Sequence, residues 1–216
     1  HLNLFGFLGL TAIGTLRVLL PTVLGERDPD ALPFLRRQLP LAVAGALGIS
    51  LGAAYGLPLA LLGVLAWLWP ALLLLRAVMR TPGRQWLARG AGIALAAAAL
   101  GWSLVLITGA AHGLGGLSAD AALALLLYLF LLPLVTGATS HLLPVWRWPG
   151  AVTAAHATMR ARLTAYGGLR VAAFWASALL TLAETGYAAI PAAIAMLAYL
   201  LQVVSAFVRI RTPHPS

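Results

Sequence analysis

Seven stretches of mainly apolar residues follow one another along the chain, and each has the roughly 20 residues that a helix needs to cross a bilayer. They cover roughly 1–24, 38–56, 57–79, 87–110, 120–146, 167–187 and 189–210, with no long loop left over. Glycine and proline punctuate the breaks: Gly25 to Pro33, Gly56-Leu57-Pro58, Thr81-Pro82-Gly83, Gly113 to Ser118, Pro149-Gly150, and Gly186 to Pro191. The joins at 56–58 and 186–191 are tight and predict antiparallel hairpins. Composition agrees, since 62% of the 216 residues are hydrophobic and 9% are charged, against about 25% charged in a soluble domain. A soluble core of this size cannot hide that much apolar surface, so lipid must cover it. The pattern predicts an all-α integral membrane bundle of about seven transmembrane helices, one domain over residues 1–216. The chain opens at His1 with neither an initiator Met nor a charged n-region, and is expected to be the C-terminal part of a longer protein.

The formal charge of +9, from 14 basic against 5 acidic residues, would suggest nucleic acid in a soluble protein. Here it sets orientation instead. Arg27, Arg36 and Arg37 follow the first stretch, and Arg76, Arg80, Arg84 and Arg89 surround the third break. Arg147, Arg160, Arg162 and Arg170 surround the fifth, and Arg209 and Arg211 close the chain. The alternate connections contain no Arg. The positive-inside rule then makes the Arg-rich side cytoplasmic, in a bacterial inner membrane, with no nucleic-acid partner. His1, the 56–58 turn, the His112 loop and the Glu184 turn are expected to face outward.

Within the second stretch, Gly48, Gly52 and Gly56 stand four apart below Ala44, a small-residue stripe that lets another helix approach closely. With no cysteine, disulfides, thiolate metal sites and cysteine nucleophiles are excluded. There is no Ser, His and Asp set or His-Glu-x-x-His helix for an intramembrane hydrolase. The buried carboxylates and paired interrupted helices of a transporter are also missing.

Ionisable groups at membrane depth are costly, so each is a functional candidate. Arg17 follows His1 by about 24 Å of helix, at the cytoplasmic headgroups. It either snorkels there or meets a haem propionate, lipid phosphate or carboxylate. Asp120, just after Ser118, suits a helix N-terminus, and Glu184 suits a solvated turn. His214 in the Pro-rich tail and His156 in a basic loop read as solvated residues. His141 lies about 32 Å of helix beyond Asp120. It is a candidate metal ligand or a headgroup residue beside the Trp146-Arg147-Trp148 belt, and it cannot share an atom-sized site with His1 or His112. Imidazole is the usual neutral ligand of haem iron or copper, and two suffice for a six-coordinate haem. His1 and His112 form such a pair only if the His112 loop folds back into the bundle.

Two stretches carry a family likeness. His1-Leu2-Asn3-Leu4-Phe5-Gly6-Phe7-Leu8-Gly9-Leu10-Thr11-Ala12-Ile13-Gly14-Thr15-Leu16, closed by Leu20-Pro21-Thr22, resembles a helix of the membrane module fused to some actinobacterial copper oxidases. Gly137-Ala138-Thr139-Ser140-His141-Leu142-Leu143-Pro144-Val145, followed by Gly167-Gly168-Leu169-Arg170-Val171, resembles a later helix and loop of that module. The module is in turn distantly similar to the NnrS family, membrane proteins tied to nitric oxide metabolism, and to the histidine-bearing helices of haem-copper oxidases. The resemblance implies a haem- or copper-associated membrane protein in electron transfer or nitric oxide handling, with His1 as the matching ligand. It also implies a copper protein or other redox partner. His141 stands where the copper oxidase modules are expected to carry Tyr. With five histidines, fewer than a haem-copper oxidase catalytic subunit uses, this chain does not reduce oxygen alone. The alternative reading is a cofactor-free membrane scaffold or assembly subunit.

Overall fold

The computed structural model describes residues 1–26, 28–81, 85–86 and 90–209. Arg27, Arg84, Arg89, Arg211 and His214, and the Pro82-Gly83 break, lie outside the described residues. The protein is an all-α bundle, and seven of its segments are long and apolar enough to cross a membrane. These are α1 (Leu2–Leu24), α2 (Ala31–Tyr55), α3 (Leu57–Arg80), α4 (Gly90–Gly113) and α5 (Ala119–Arg147). The sixth runs from Ala154 to Leu182 and is broken into α6 (Ala154–Thr164) and α7 (Gly167–Leu182), and α8 (Ile190–Arg209) is the seventh. Their alternating directions bring His1, Gly56 and the α4–α5 turn to one end of the bundle, the His1 end. The helix ends that carry Arg80 and Arg147 lie at the other.

Both hairpins form, the first at Gly56 as the short join predicts and the second over residues 183–189, because α7 already ends at Leu182 and not at 187. Gly56, with φ 155° and ψ 141°, is a conformation that only glycine adopts readily, and it lets Leu57-Pro58 start α3 with no intervening loop. The small-residue stripe is the seam of this hairpin. A Cβ on Gly48 would stand 2.8 Å from Gly63 Cα, and one on Gly52 would overlap the backbone of Ala60. Gly63 returns the contact against the backbone of Gly45, Gly48 and Ile49. In lipid there is no hydrophobic gain from pairing two apolar helices, so close backbone approach supplies the dispersion energy that holds them. The same device recurs where Gly101 of α4 meets the Leu129 carbonyl, and where Gly90 and Gly167 cross.

Helix boundaries depart from the apolar stretches in three further places. α2 begins at Ala31, not near 38, because Pro33 falls in its first turn, where a missing N–H costs nothing. Arg36 and Arg37 therefore stand on a helix. α4 continues to Gly113, so His112 is on its last turn instead of in a loop. Before α7 there is a further helix, α6, where a loop was expected. His156 is not solvated: it is 1% exposed and closes a capping box with Thr153, the N-cap of α6. Its Nδ1 accepts from the Thr153 N–H at 3.0 Å, and its Nε2 lies 2.9 Å from the Trp148 carbonyl. Arg170, read as a loop charge, is 4% exposed on α7. The Asp120 expectation holds, since Ser118 caps α5 by accepting from Ala121 N at 3.2 Å and Asp120 sits in the first turn.

Candidate functional site

Two short π-helical segments, Leu2–Leu8 in α1 and Leu126–Leu131 in α5, shape the middle of the bundle. Such wide turns redirect side chains and free carbonyls, and they occur frequently at functional sites. Here the Phe5 carbonyl accepts from Trp67 Nε1 at 3.0 Å, which fastens α1 to α3. Phe5, Trp67 and Phe130 all surround Trp102, with ring centroids 5.9, 5.1 and 4.7 Å from it. The small Gly9 is what admits that ring, for a Cβ there would lie 2.7 Å from Trp102.

Above this aromatic floor, a cavity of about 790 Å³ opens at the His1 end between α1, the α2–α3 hairpin, α4 and α5. That is within the roughly 300–1,000 Å³ typical of small-molecule and cofactor sites. Small residues make much of its wall, among them Gly52, Ala53, Ala60, Gly109, Ala110 and Ala122, and both His1 and His112 line it. The His1 ring stacks on Phe5 at 6.3 Å with an interplanar angle of 13°. His112 Nδ1 lies 2.8 Å from the Leu117 carbonyl, which has no proton to give, so Nδ1 carries the hydrogen and donates it. Nε2 is then the ring nitrogen free to meet a ligand in the cavity. A carbonyl on one ring nitrogen is how ligating histidines are commonly oriented.

The other sequence candidates lie elsewhere. Arg17 lines a separate cavity of about 240 Å³ at the arginine-rich end, with Glu26, Asp28, Asp30, Arg80 and Trp86. It forms an ion pair with Asp28 at 2.7 Å and stands over the Phe34 ring at 4.7 Å. Its partner is thus a carboxylate of this chain, in a cavity separate from the one that His1 and His112 line. His141 is half-buried on the far part of α5, beside Arg160 of α6. No cluster of three or more His, Cys, Asp or Glu with metal-ligand geometry occurs among the described residues.

A second polar centre lies among α5, α6, α7 and α8. Arg170 Nη2 donates to the Leu163 carbonyl at 3.3 Å and Nη1 to Gln202 Oε1 at 3.2 Å, while its guanidinium covers the Tyr199 ring at 4.3 Å. Ser140 Oγ bridges Thr136 O, Leu163 O and the Tyr199 hydroxyl. Each group is an ordinary helix residue by type, and only i, i+3 or i+4 registration on four separate helices brings them together. Gln202 went unremarked in the sequence, although its strongly polar side chain within an apolar stretch could have signalled this centre.

Comparison with protein families, with curated proteins and with solved structures finds no match for this chain. What the molecule is follows from its own geometry: a multi-pass all-α membrane bundle with a histidine-lined cavity among the described residues.

Proposed function

We propose that this chain is a haem- or copper-associated integral membrane protein serving electron transfer or nitric oxide handling, with its cofactor in the cavity at the His1 end. The observation that carries the reading is His112, whose Nδ1–H is committed to the Leu117 carbonyl while its Nε2 lone pair is left for a metal. His1 lines the same cavity and offers the second imidazole. Haem fits this arrangement better than copper, because haem iron needs only two axial ligands from the protein, whereas a copper ion calls for a further donor. A flat macrocycle also suits walls of Gly52, Ala53, Gly109 and Ala110, which leave a helix surface without bulky side chains. Bound haem would supply one-electron chemistry at iron or a binding position for a diatomic gas.

The Arg-rich ends are cytoplasmic on this reading, since the reverse orientation would translocate most of the arginines. A reporter fused after Arg80 is then active only in the cytoplasm, and one fused after Gly116 only outside. The function is tested by purifying the protein in detergent and recording its visible spectrum and bound haem and copper, in the wild type and in His112→Ala. A Soret band that falls with His112→Ala, at unchanged helical content, supports the site. A wild-type protein without haem or copper leaves the cofactor-free scaffold instead.

A further inference from the structure

We propose that the corner where α5, α6 and α8 meet at the arginine-rich end is a binding site for the phosphate headgroup of an anionic phospholipid. Three observations converge there. The first is an uncompensated charge. From residue 121 to 183, and again from 185 to the end, the sequence has no Asp or Glu, yet these stretches carry Arg147, Arg160, Arg162, Arg170 and Arg209. The sole ion pair among the described residues is Arg17 with Asp28, on the other side of the bundle. Arg170 adds a cation that is 4% exposed and answered only by a carbonyl, an amide oxygen and a ring face.

The second is donors without acceptors. Arg160 Nε and Trp148 Nε1 are both buried, and neither has a hydrogen-bond partner. They belong to one corner, because His156 ties Trp148 to the first turn of α6 through the Trp148 carbonyl, and Arg160 follows one turn later. A buried N–H without an acceptor is destabilising, and a phosphate oxygen is the acceptor that an arginine-rich corner attracts.

The third is the setting. The Arg147 guanidinium stands 5.8 Å over the Trp148 ring and 5.7 Å over the Phe207 ring, which hold it with no carboxylate partner. Around it Trp146, Val152 and Val208 are exposed, at 67%, 73% and 76%. A ligand that satisfies the guanidinium and these apolar surfaces together has a phosphate head and acyl tails. Soluble phosphate has only the first.

The test uses the whole chain in an uncharged detergent. Phosphatidylcholine, phosphatidylcholine with phosphatidylglycerol, or inorganic phosphate of equal phosphorus content is added, and the melting midpoint and retained lipid are measured by thermal scan and native mass spectrometry. Phosphatidylglycerol should raise the midpoint above phosphatidylcholine alone and remain bound at low integral stoichiometry. Arg147→Gln with Arg160→Gln should lose most of that rise and that retention. The exposed single substitution Arg147→Gln, which cannot disturb the core, should lose part. Arg36→Gln with Arg37→Gln, equal in charge but on α2, should lose neither. An equal loss in the α2 variant, or an undiminished rise in both corner variants, would overturn the site. Stabilisation by inorganic phosphate matching that of phosphatidylglycerol would overturn the lipid assignment.

Discussion

The two halves of the bundle are held by different physics. From α1 to α4 the contacts are mainly steric: Gly45, Gly48, Gly52 and Gly63 let α2 and α3 touch backbone to backbone, and an aromatic cluster around Trp102, joined by Phe130 of α5, fills the centre. From α5 to α8 they are polar, with Arg170, Tyr199, Ser140, Thr136 and Gln202 joining four helices. Steric packing is strong only where the shapes match, and where they stop matching it leaves space. The 790 Å³ cavity lies at the His1 end of the steric half. Hydrogen bonds in lipid are each worth little, about 0.6 kcal/mol on average, but they fix direction. The polar half is therefore the natural place for a rigid frame, and the steric half for a ligand.

Substitutions should separate the two. The largest effect is expected for Gly52→Leu, whose side chain would overlap the Ala60 backbone, which cannot move without parting α2 from α3. Overpacking costs about 1–3 kcal/mol when neighbours can shift. A backbone neighbour puts this variant at the upper end or beyond, read as a large fall in the detergent melting midpoint. Leu51→Ala, on the exposed side of the same helix, should leave the midpoint nearly unchanged. Equal falls would mean that the stripe does not carry the hairpin.

Arg170→Ala comes next. It leaves the Gln202 oxygen and the Tyr199 face without their partner, so a destabilisation of about 1–2 kcal/mol is expected. Because a buried charge is itself costly, Arg170→Met should be milder than Arg170→Ala. Urea or dodecyl sulfate titration of both would show whether packing or charge dominates. Tyr199→Phe, losing its bonds to Thr136 O and Ser140, should cost about 0.6 kcal/mol in the same assay. The smallest change in stability is expected from Gly109→Leu. A Cβ there has only the Phe5 ring within 4 Å, at 3.7 Å, so the longer side chain grows into the cavity. Its melting midpoint should barely move, and if the proposed haem is bound its content should fall. A large loss of stability would show that this wall is part of the packed core.

Much of the fold was legible because a bilayer allows few solutions. Apolar length gives the spans, and glycine with proline gives the breaks. The glycine stripe was readable for the same reason, since spacing of four on a helix means one face. Arg170 and His156 were misjudged because charge counting treats every Arg or His near a break as solvated. Whether a carbonyl, an amide or a capping turn waits for it depends on helices distant in sequence. The His1 and His112 pairing turned on where α4 ends. Three further residues of helix, from 111 to Gly113, put the imidazole into the cavity wall instead of a loop.

The central claim, that the steric half is open for a cofactor held by His112, is tested most directly by titrating haemin into the purified protein and recording the absorption spectrum of each oxidation state. The account predicts saturable binding of one haem with a low-spin, two-imidazole spectrum in the wild type, and weaker binding with an altered spectrum in His112→Ala. Identical spectra and affinities in the two proteins, with helical content intact, would contradict it.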